Sequence, residues 1–259
     1  MTLIPDDTLA TPNPTSSAAD TGSNSASCRV AVVTGGSSGI GEAAARALAQ
    51  DGWQVIIAAR REDRLAKIAE EIGATAITLD VTDDKSVAHF AQRIPAVDLL
   101  VNNAGGAKGL EPVEETTLQD WQWMYDTNVL GTVRVTQALL PQLREARGLI
   151  INIGSVAALR PYEGGSGYNA AKFGLRALTR VLRIENAERE VRVCEIDPGR
   201  VATDFSLVRF SGNQDRADAV YADKINLLAE DIAEAIRWVA SLPPRVNIDS
   251  LNIMPADQI

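Results

Sequence analysis

Ser155, Tyr168 and Lys172 lie in the run SVAALRPYEGGSGYNAAK at spacings that let a hydroxyl, a phenol and an ammonium converge on one carbonyl group. A helix over residues 166 to 185 sets Tyr168 and Lys172 four residues apart on one face, with a positive charge beside the phenol. A free tyrosine titrates at about 10, and a cation within a few ångströms is expected to lower that by roughly 1–3 units, making the phenol a usable proton donor and acceptor. Ser155 follows the apolar run LIINIG, which reads as the end of a strand, and its hydroxyl can hydrogen-bond the substrate oxygen on which charge develops. Any one of these residues alone would imply little.

The elements that must position them alternate along the chain. From Arg29 onward, short β-rich runs take turns with segments of helical period, the pattern of a parallel sheet covered by helices on both faces. Seven strands are expected: RVAVVTG, WQVIIAA, ATAITL, VDLLVNN, GLIINIG, VRVCEID and VNIDSLNIM. The fold class is therefore α/β, a Rossmann-like doubly wound seven-stranded parallel sheet forming a single domain over residues 28–259. Asp51-Gly52 and Gly73 close the first two helices. The stretch from Thr117 to Arg147 is longer than one crossover helix needs and carries Asn128 in its middle, where a kink or a functional residue is expected. Residues 203–228 lack a strand signal and read as a mobile helical flap over the substrate.

The composition narrows the function classes. With 259 residues, 46% hydrophobic and 23% charged, the chain can build one sizeable core. A net charge of −9 and a pI near 4.8 argue against a nucleic-acid-binding surface. His89 is the only histidine, so neither a histidine metal cluster nor a Ser-His-Asp triad can be assembled. Cys28 and Cys194, far apart in sequence, read as buried thiols in a reducing compartment. Residues 1–27 are rich in Ser, Thr, Ala, Pro, Asn and Asp without Lys or Arg; they read as a disordered tail that fits neither a secretory signal nor a transit peptide. No run of 18 apolar residues occurs, so no membrane span and a cytoplasmic location are expected.

The first strand runs into Thr34-Gly35-Gly36-Ser37-Ser38-Gly39-Ile40-Gly41, where a helix begins. Glycines there allow a tight turn and close approach to a pyrophosphate, and the helix N-terminus adds free N–H groups and a positive dipole end. In sites selective for NAD, an acidic residue about 20 positions on, at the end of the second strand, holds the ribose 2′-hydroxyl. Here that place is Ala59-Arg60-Arg61, which suits the 2′-phosphate of NADP(H). The competing reading pairs Arg60 and Arg61 with Glu62 and Asp63 as solvated helix-start residues.

Together these features resemble the short-chain dehydrogenase/reductase family over residues 29 to 259. The motifs that carry the resemblance are TGGSSGIG, Asp80-Val81 after the third strand, Asn102-Asn103-Ala104-Gly105, the set Asn128, Ser155, Tyr168 and Lys172, and Pro198-Gly199 after the sixth strand. The basic residue that some NADP-using members carry inside the glycine motif is absent, since Ser38 stands there. The resemblance implies a hydride transfer with Tyr168 as the proton donor or acceptor. It implies that Ser155 fixes the substrate oxygen, Lys172 binds the nicotinamide ribose and lowers the tyrosine pKa, and Asn128 holds a water of the proton relay. A cofactor site is implied at Gly35, Ser37, Ser38, Gly39, Ile40, Gly41, Arg60, Arg61, Asp80, Val81, Asn102, Ala104, Gly105, Tyr168, Lys172, Pro198, Gly199, Val201 and Thr203. Asn128 as a kink side chain and Thr203 as a helix cap are the plain alternatives.

Within the family, INIGSVAALRPYEGGSGYNAAK, EIDPGRVATDFSLVRFSG and ASLPPRVNIDSLNIMP are similar to the NADP-dependent 3-hydroxy acid dehydrogenases, which include serine and L-allo-threonine dehydrogenases. A small β-hydroxy acid needs a cation for its carboxylate, for which Arg209 is favoured over Arg200 and Arg160, though each can equally pair with a surface carboxylate. Tyr162 either lines the pocket or packs in its loop. The alternatives are reduction of bulkier ketones or aldehydes and a non-catalytic NADP sensor. The resemblance also implies a homo-oligomer, a tetramer or dimer, with apolar residues on more than one face of TNVLGTVRVTQALLPQL and AAKFGLRALTRVLRIE.

Overall fold

The structure, a computed structural model, describes residues 29–258; the tail over residues 1–27 and Cys28 fall outside that range. Seven strands form one sheet in the order β3-β2-β1-β4-β5-β6-β7, every neighbouring pair parallel. They are β1 Val30–Thr34, β2 Gln54–Ala59, β3 Thr75–Thr78, β4 Leu99–Asn102, β5 Leu149–Ile153, β6 Arg192–Pro198 and β7 Ser250–Ile253. Central strands such as VAVVT, LLVN and LIINI read as unbroken apolar runs because both of their faces are covered.

One face buries Leu48 of α1 (Gly39–Gln50), Leu65 and Ile68 of α2 (Glu62–Ile72), and Ile232, Ile236 and Val239 of a late helix over Ala229–Ser241. The other buries Phe90 of α3 (Asp84–Gln92), Leu139 and Leu143 of a helix over Gly131–Glu145, and Leu182 of one over Ser166–Asn186. The chain order reverses between β1 and β4, and in open parallel sheets ligands bind beyond the carboxyl ends of strands at such a point.

The long segment after β4 is α4 (Leu118–Tyr125), capped by the Thr117 hydroxyl on the Asp120 N–H, then a π turn over Asp126–Leu130, then α5 (Gly131–Glu145). Asn128 sits in the π turn, the local widening that its mid-segment position suggested. Next come α6 (Ser166–Asn186) and two short helices over the flap, α7 (Phe205–Arg209) and α8 (Gln214–Tyr221), before α9 (Ala229–Ser241). The flap is tied down at its ends, where Val201 bridges Leu227 and the Tyr221 hydroxyl donates to the Thr203 carbonyl. Among the described residues no helix is long and apolar enough to cross a membrane.

Candidate active site

The β1 end is locked to the β4 end before any ligand is considered. Thr34 Oγ1 accepts from the N–H groups of Asn103 (3.0 Å) and Ala104 (3.1 Å), and Asn103 Nδ2 donates to the Thr34 carbonyl (3.0 Å). Gly35 and Gly39 turn the chain at φ +67° and +55°, where a side chain would be strained. The result is a groove of about 310 Å3 bordered by Gly35, Ser37, Ser38, Gly39, Ile40, Arg60, Arg61, Asp80, Val81, Ala104 and Gly105. These expected cofactor residues therefore come together, and Trp123, Thr127 and Asn103 join them.

Two expected members, Asn102 and Gly41, border neither this groove nor the cavity that adjoins it. The Asn102 side chain points into the core, donating to Asn152 Oδ1 (2.9 Å) and Thr136 Oγ1 (3.0 Å), because the register sets it opposite Asn152 between α5 and α6. Asn103, one residue on, takes the groove side. Gly41 faces inward as well: a Cβ there would run into Asn103 Nδ2 and the Gly35 carbonyl, so its role is close packing of α1 against the turn.

The groove fits a dinucleotide phosphate by the donors it leaves open. The Thr127 hydroxyl is buried on its wall without a partner. Arg61 lies across the glycine turn, with Nη2 at 3.0 Å from Ser37 Oγ and 2.5 Å from Ser38 Oγ. Desolvation and then the like charge of Arg64 act to lower the pKa of Arg61, a conflict that an anion between the guanidiniums relieves. Arg61 does not pair with Glu62 or Asp63; its carboxylate neighbour is Asp204 of the flap at 4.0 Å, which also holds Arg64 at 2.9 Å. Burial works to raise Asp80, but two hydrogen bonds from Thr82 together with the charges of Arg60 and Arg134 keep its carboxyl below the ordinary range.

Beyond the groove opens a second cavity of about 650 Å3 that holds Ser155, Tyr168 and Lys172, with Pro198, Gly199, Val201 and Thr203 on its walls. Ser155 follows β5, and its Oγ accepts from the Ala157 N–H (3.1 Å), which leaves the hydroxyl hydrogen to face the nearby Tyr168 oxygen. Tyr168 is 8% exposed, its ring edge-on to Phe205 with centroids 5.5 Å apart. Lys172, one turn along α6, sends its Nζ to the Ile153 carbonyl (2.8 Å) and lies 5.7 Å from the centre of the Tyr168 ring.

The electrostatics reverse one expectation. Burial pushes the Tyr168 phenol above its ordinary value, and the largest opposing influences are the Ser155 hydroxyl and the charge of Arg209. Lys172 is itself desolvated, which brings its ammonium down to about 8. In this resting site burial therefore outweighs the charge-charge effect that the helical spacing suggested, and the phenol is held as a proton donor.

The Asn128 side chain is bound up within the wall. Its Nδ2 donates to the Gly106 carbonyl (2.9 Å) and the Met124 carbonyl (2.7 Å), and its Oδ1 accepts from the Gly106 N–H (3.2 Å). Both amide hydrogens are spent and the side chain does not border the cavity, so Asn128 braces the wall from behind.

Of the three candidate arginines, Arg209 is 8% exposed, with its guanidinium 5.6 Å from the Tyr168 ring centre. It donates to the Gly109 carbonyl (2.9 Å) and the Tyr162 hydroxyl (2.6 Å), so Tyr162 lines the pocket as its partner, and donor positions remain free for a ligand. Arg200 is committed to Asp257 (2.7 Å) and Asn226 (2.8 Å). Arg160 is exposed at the rim. Sequence reasoning missed Phe205, Tyr221, Lys224 and Gln258, which border the cavity from the flap and the last residues; no motif marks them.

Residues 29–213 match the family described as short chain dehydrogenase. An uncharacterized oxidoreductase of Mycobacterium tuberculosis is 56% identical over 231 residues, covering 89% of this chain and 92% of that protein. An NADP-dependent 3-hydroxy acid dehydrogenase of Salmonella typhi is 42% identical over 237 residues, covering 88% and 96%. Among solved structures, the closed form of serine dehydrogenase complexed with NADP+ is similar at a TM-score of 0.86 and 40% identity, covering 89% of this chain and 96% of that one.

Proposed function

The chain belongs to the short-chain dehydrogenase family, and on that premise we propose that it moves a hydride between NADP(H) and the carbon bearing the oxygen of a small 3-hydroxy acid, with Tyr168 handling the proton. The observation that carries the substrate class is a charge imbalance. The residues around the large cavity include Arg160, Lys172, Arg200, Arg209 and Lys224 but no Asp or Glu, in a chain whose net charge is −9. Such a cavity concentrates a small anion and rejects a cation.

Bound NADP(H) supplies or receives the hydride. The protein's own part is to hold the oxygen and move its proton. Ser155 points its hydroxyl at the Tyr168 oxygen, so a substrate oxygen between them meets two donors, and Tyr168 in its neutral form protonates that oxygen during reduction. Arg209 holds the acid group on the flap side, and Phe205 on the same helix packs over the Tyr168 ring and keeps water from it. Arg60, Arg61 and Arg64 would hold the 2′-phosphate, and Thr127 would gain a partner along the groove.

Initial rates with L-serine, L-allo-threonine and 3-hydroxypropionate, each with NADP+ and NAD+, test this reading. Turnover with NADP+ is expected; silence on every acid, with a neutral ketone or aldehyde reduced, would transfer the activity to bulkier carbonyls. In the same assay Arg209→Ala should raise KM for the acids about 30-fold or more, while a neutral aldehyde keeps its KM within about threefold. An equal loss on both would mean that Arg209 shapes the flap and does not read the acid.

Asp204 gives a second handle, on the cofactor. Its carboxylate lies between Arg61 and Arg64, where it repels the 2′-phosphate. Asp204→Asn should tighten NADP+ binding about threefold at low salt and leave NAD+ binding unchanged, as expected for a half-exposed charge. Quenching of Trp123 fluorescence, since that indole borders the groove, reads both affinities. Weaker NADP+ binding in the variant would show that Asp204 organises the arginines.

A further inference from the structure

Two acids stand buried behind the catalytic residues with no part in the chemistry described so far. Glu195 and Asp197, two apart on β6, project to the same face and are 2% and 1% exposed. Their carboxyl groups come together over Gly154, and Glu195 Oε1 is buried there with no hydrogen-bond partner among the described residues. Gly154 exists to admit them, since a Cβ there would collide with Asp197 Oδ1 and approach Glu195 Oε1 to 2.8 Å. Asp197 Oδ1 accepts from the Ser155 N–H (3.0 Å) and Oδ2 from Arg176 Nη1 (3.0 Å), one helical turn beyond Lys172.

We propose that Glu195 and Asp197 form a carboxyl pair sharing one proton, which positions Ser155 and sustains the positive charge of Lys172, and so sets the pH range over which Tyr168 works. This rests on the dehydrogenase reading above. Two ionised carboxylates in contact and out of water are too costly, so the pair keeps a proton. Burial pushes both carboxyls up, and Asp197 is the member that ionises first, because the Ser155 N–H and Arg176 both favour its charge. The charged and titratable groups around the pair are Lys172, Arg176 and Tyr168 from α6, and Asp249 just before β7, whose carbonyl accepts from the Glu195 N–H and whose side chain is taken by Arg183. Neither acid borders the cavity, so both are positioning residues.

The consequence lies on the alkaline side. As pH rises, Glu195 ionises and its negative charge helps Lys172 keep its proton, against the burial that works to remove it. Glu195→Gln cannot ionise. It should move the alkaline limb of the kcat profile down by about one pH unit, with KM for NADP+ unchanged. Asp197→Asn, which takes from Arg176 its ion-pair partner and from the Ser155 N–H a charged acceptor, should lower kcat about tenfold or more, again with KM for NADP+ held. A limb that stays at the wild-type position in Glu195→Gln overturns the proposal, since a purely structural role moves stability and not that limb. Carbon NMR of protein labelled at the glutamate carboxyl gives a readout without turnover. One carbon should titrate above about pH 6 and vanish in Glu195→Gln. A Glu195 that titrates in the ordinary carboxylate range overturns the pair whether or not any substrate is turned over. Wild-type protein inactive on every carbonyl and hydroxy acid, with that carbon present, instead defeats the dehydrogenase reading and leaves the shared proton standing.

Discussion

Tyr168→Phe should lower NADP-linked turnover by about 10²–10⁴-fold while leaving NADP+ affinity within about threefold of wild type. The substitution removes one oxygen and nothing else. The ring keeps its edge contact with Phe205 and its place under Arg209, so α6 and the flap keep their packing. What disappears is the hydroxyl that Ser155 addresses, the proton donor of the proposed reaction that is held neutral by burial. Because that proton is retained well above neutral pH in the resting site, carbonyl reduction should be flat through neutrality, and alcohol oxidation should quicken as the solution becomes alkaline. Steady-state rates in both directions, with fluorescence titration of NADP+ as the binding control, decide the matter. Turnover in the variant within tenfold of wild type would remove Tyr168 from the proton path.

The second large effect couples catalysis to stability. Lys172 is 6% exposed, and burial brings its pKa from 10.5 to about 8. At about 1.36 kcal/mol per unit, keeping it charged in the fold costs about 3 kcal/mol at neutral pH. Lys172→Met keeps the aliphatic stem, removes that cost, and gives up one hydrogen bond to the Ile153 carbonyl worth about 1 kcal/mol. The variant should thus melt about 2–8 °C higher at pH 7 while losing about 10²–10³-fold in turnover. The sign with pH is fixed. Below pH 8 both folded and unfolded chains hold the proton and the penalty is complete; between 8 and 10.5 the folded chain sheds it first, so the gap between variant and wild type narrows and closes near 10.5. Tyr168 and Cys194 also titrate between the two states, but both proteins carry them and they largely cancel; Glu195, which loses the neighbouring cation in the variant, is pushed further up there and narrows the gap in the same alkaline direction. A variant that melts lower at neutral pH, or a gap that ignores pH, would contradict the burial cost. A lysine retained against its own stability would be an ordinary active-site bargain.

The sequence by itself determined what depends on order and short spacing. Parallel strands covered on both faces must read as apolar runs, so all seven were visible, with errors confined to their ends: β3 stops at Thr78 and β7 begins only at Ser250. TGGSSGIG, the Ser155, Tyr168 and Lys172 set and the break at Asn128 are likewise local patterns, since a turn, a helical period or a π bulge is set within a few residues.

Only the tertiary structure decided which way those residues face and what surrounds them. Asn102 and Asn103 are adjacent in sequence, and strand register sends one into the core and the other to the groove. Arg209 gains its place by reaching Gly109 and Tyr162, 100 and 47 residues away, and Asp204 reaches Arg64 across 140. Glu195 and Asp197 read in sequence as polar interruptions of a strand, yet they close over each other behind Ser155 once β5, β6 and α6 meet. The sign of the Tyr168 shift belongs here too. Spacing reveals that a cation is near, but a pKa follows from the balance between that charge and the water removed, and how much water is removed is a property of the assembled fold.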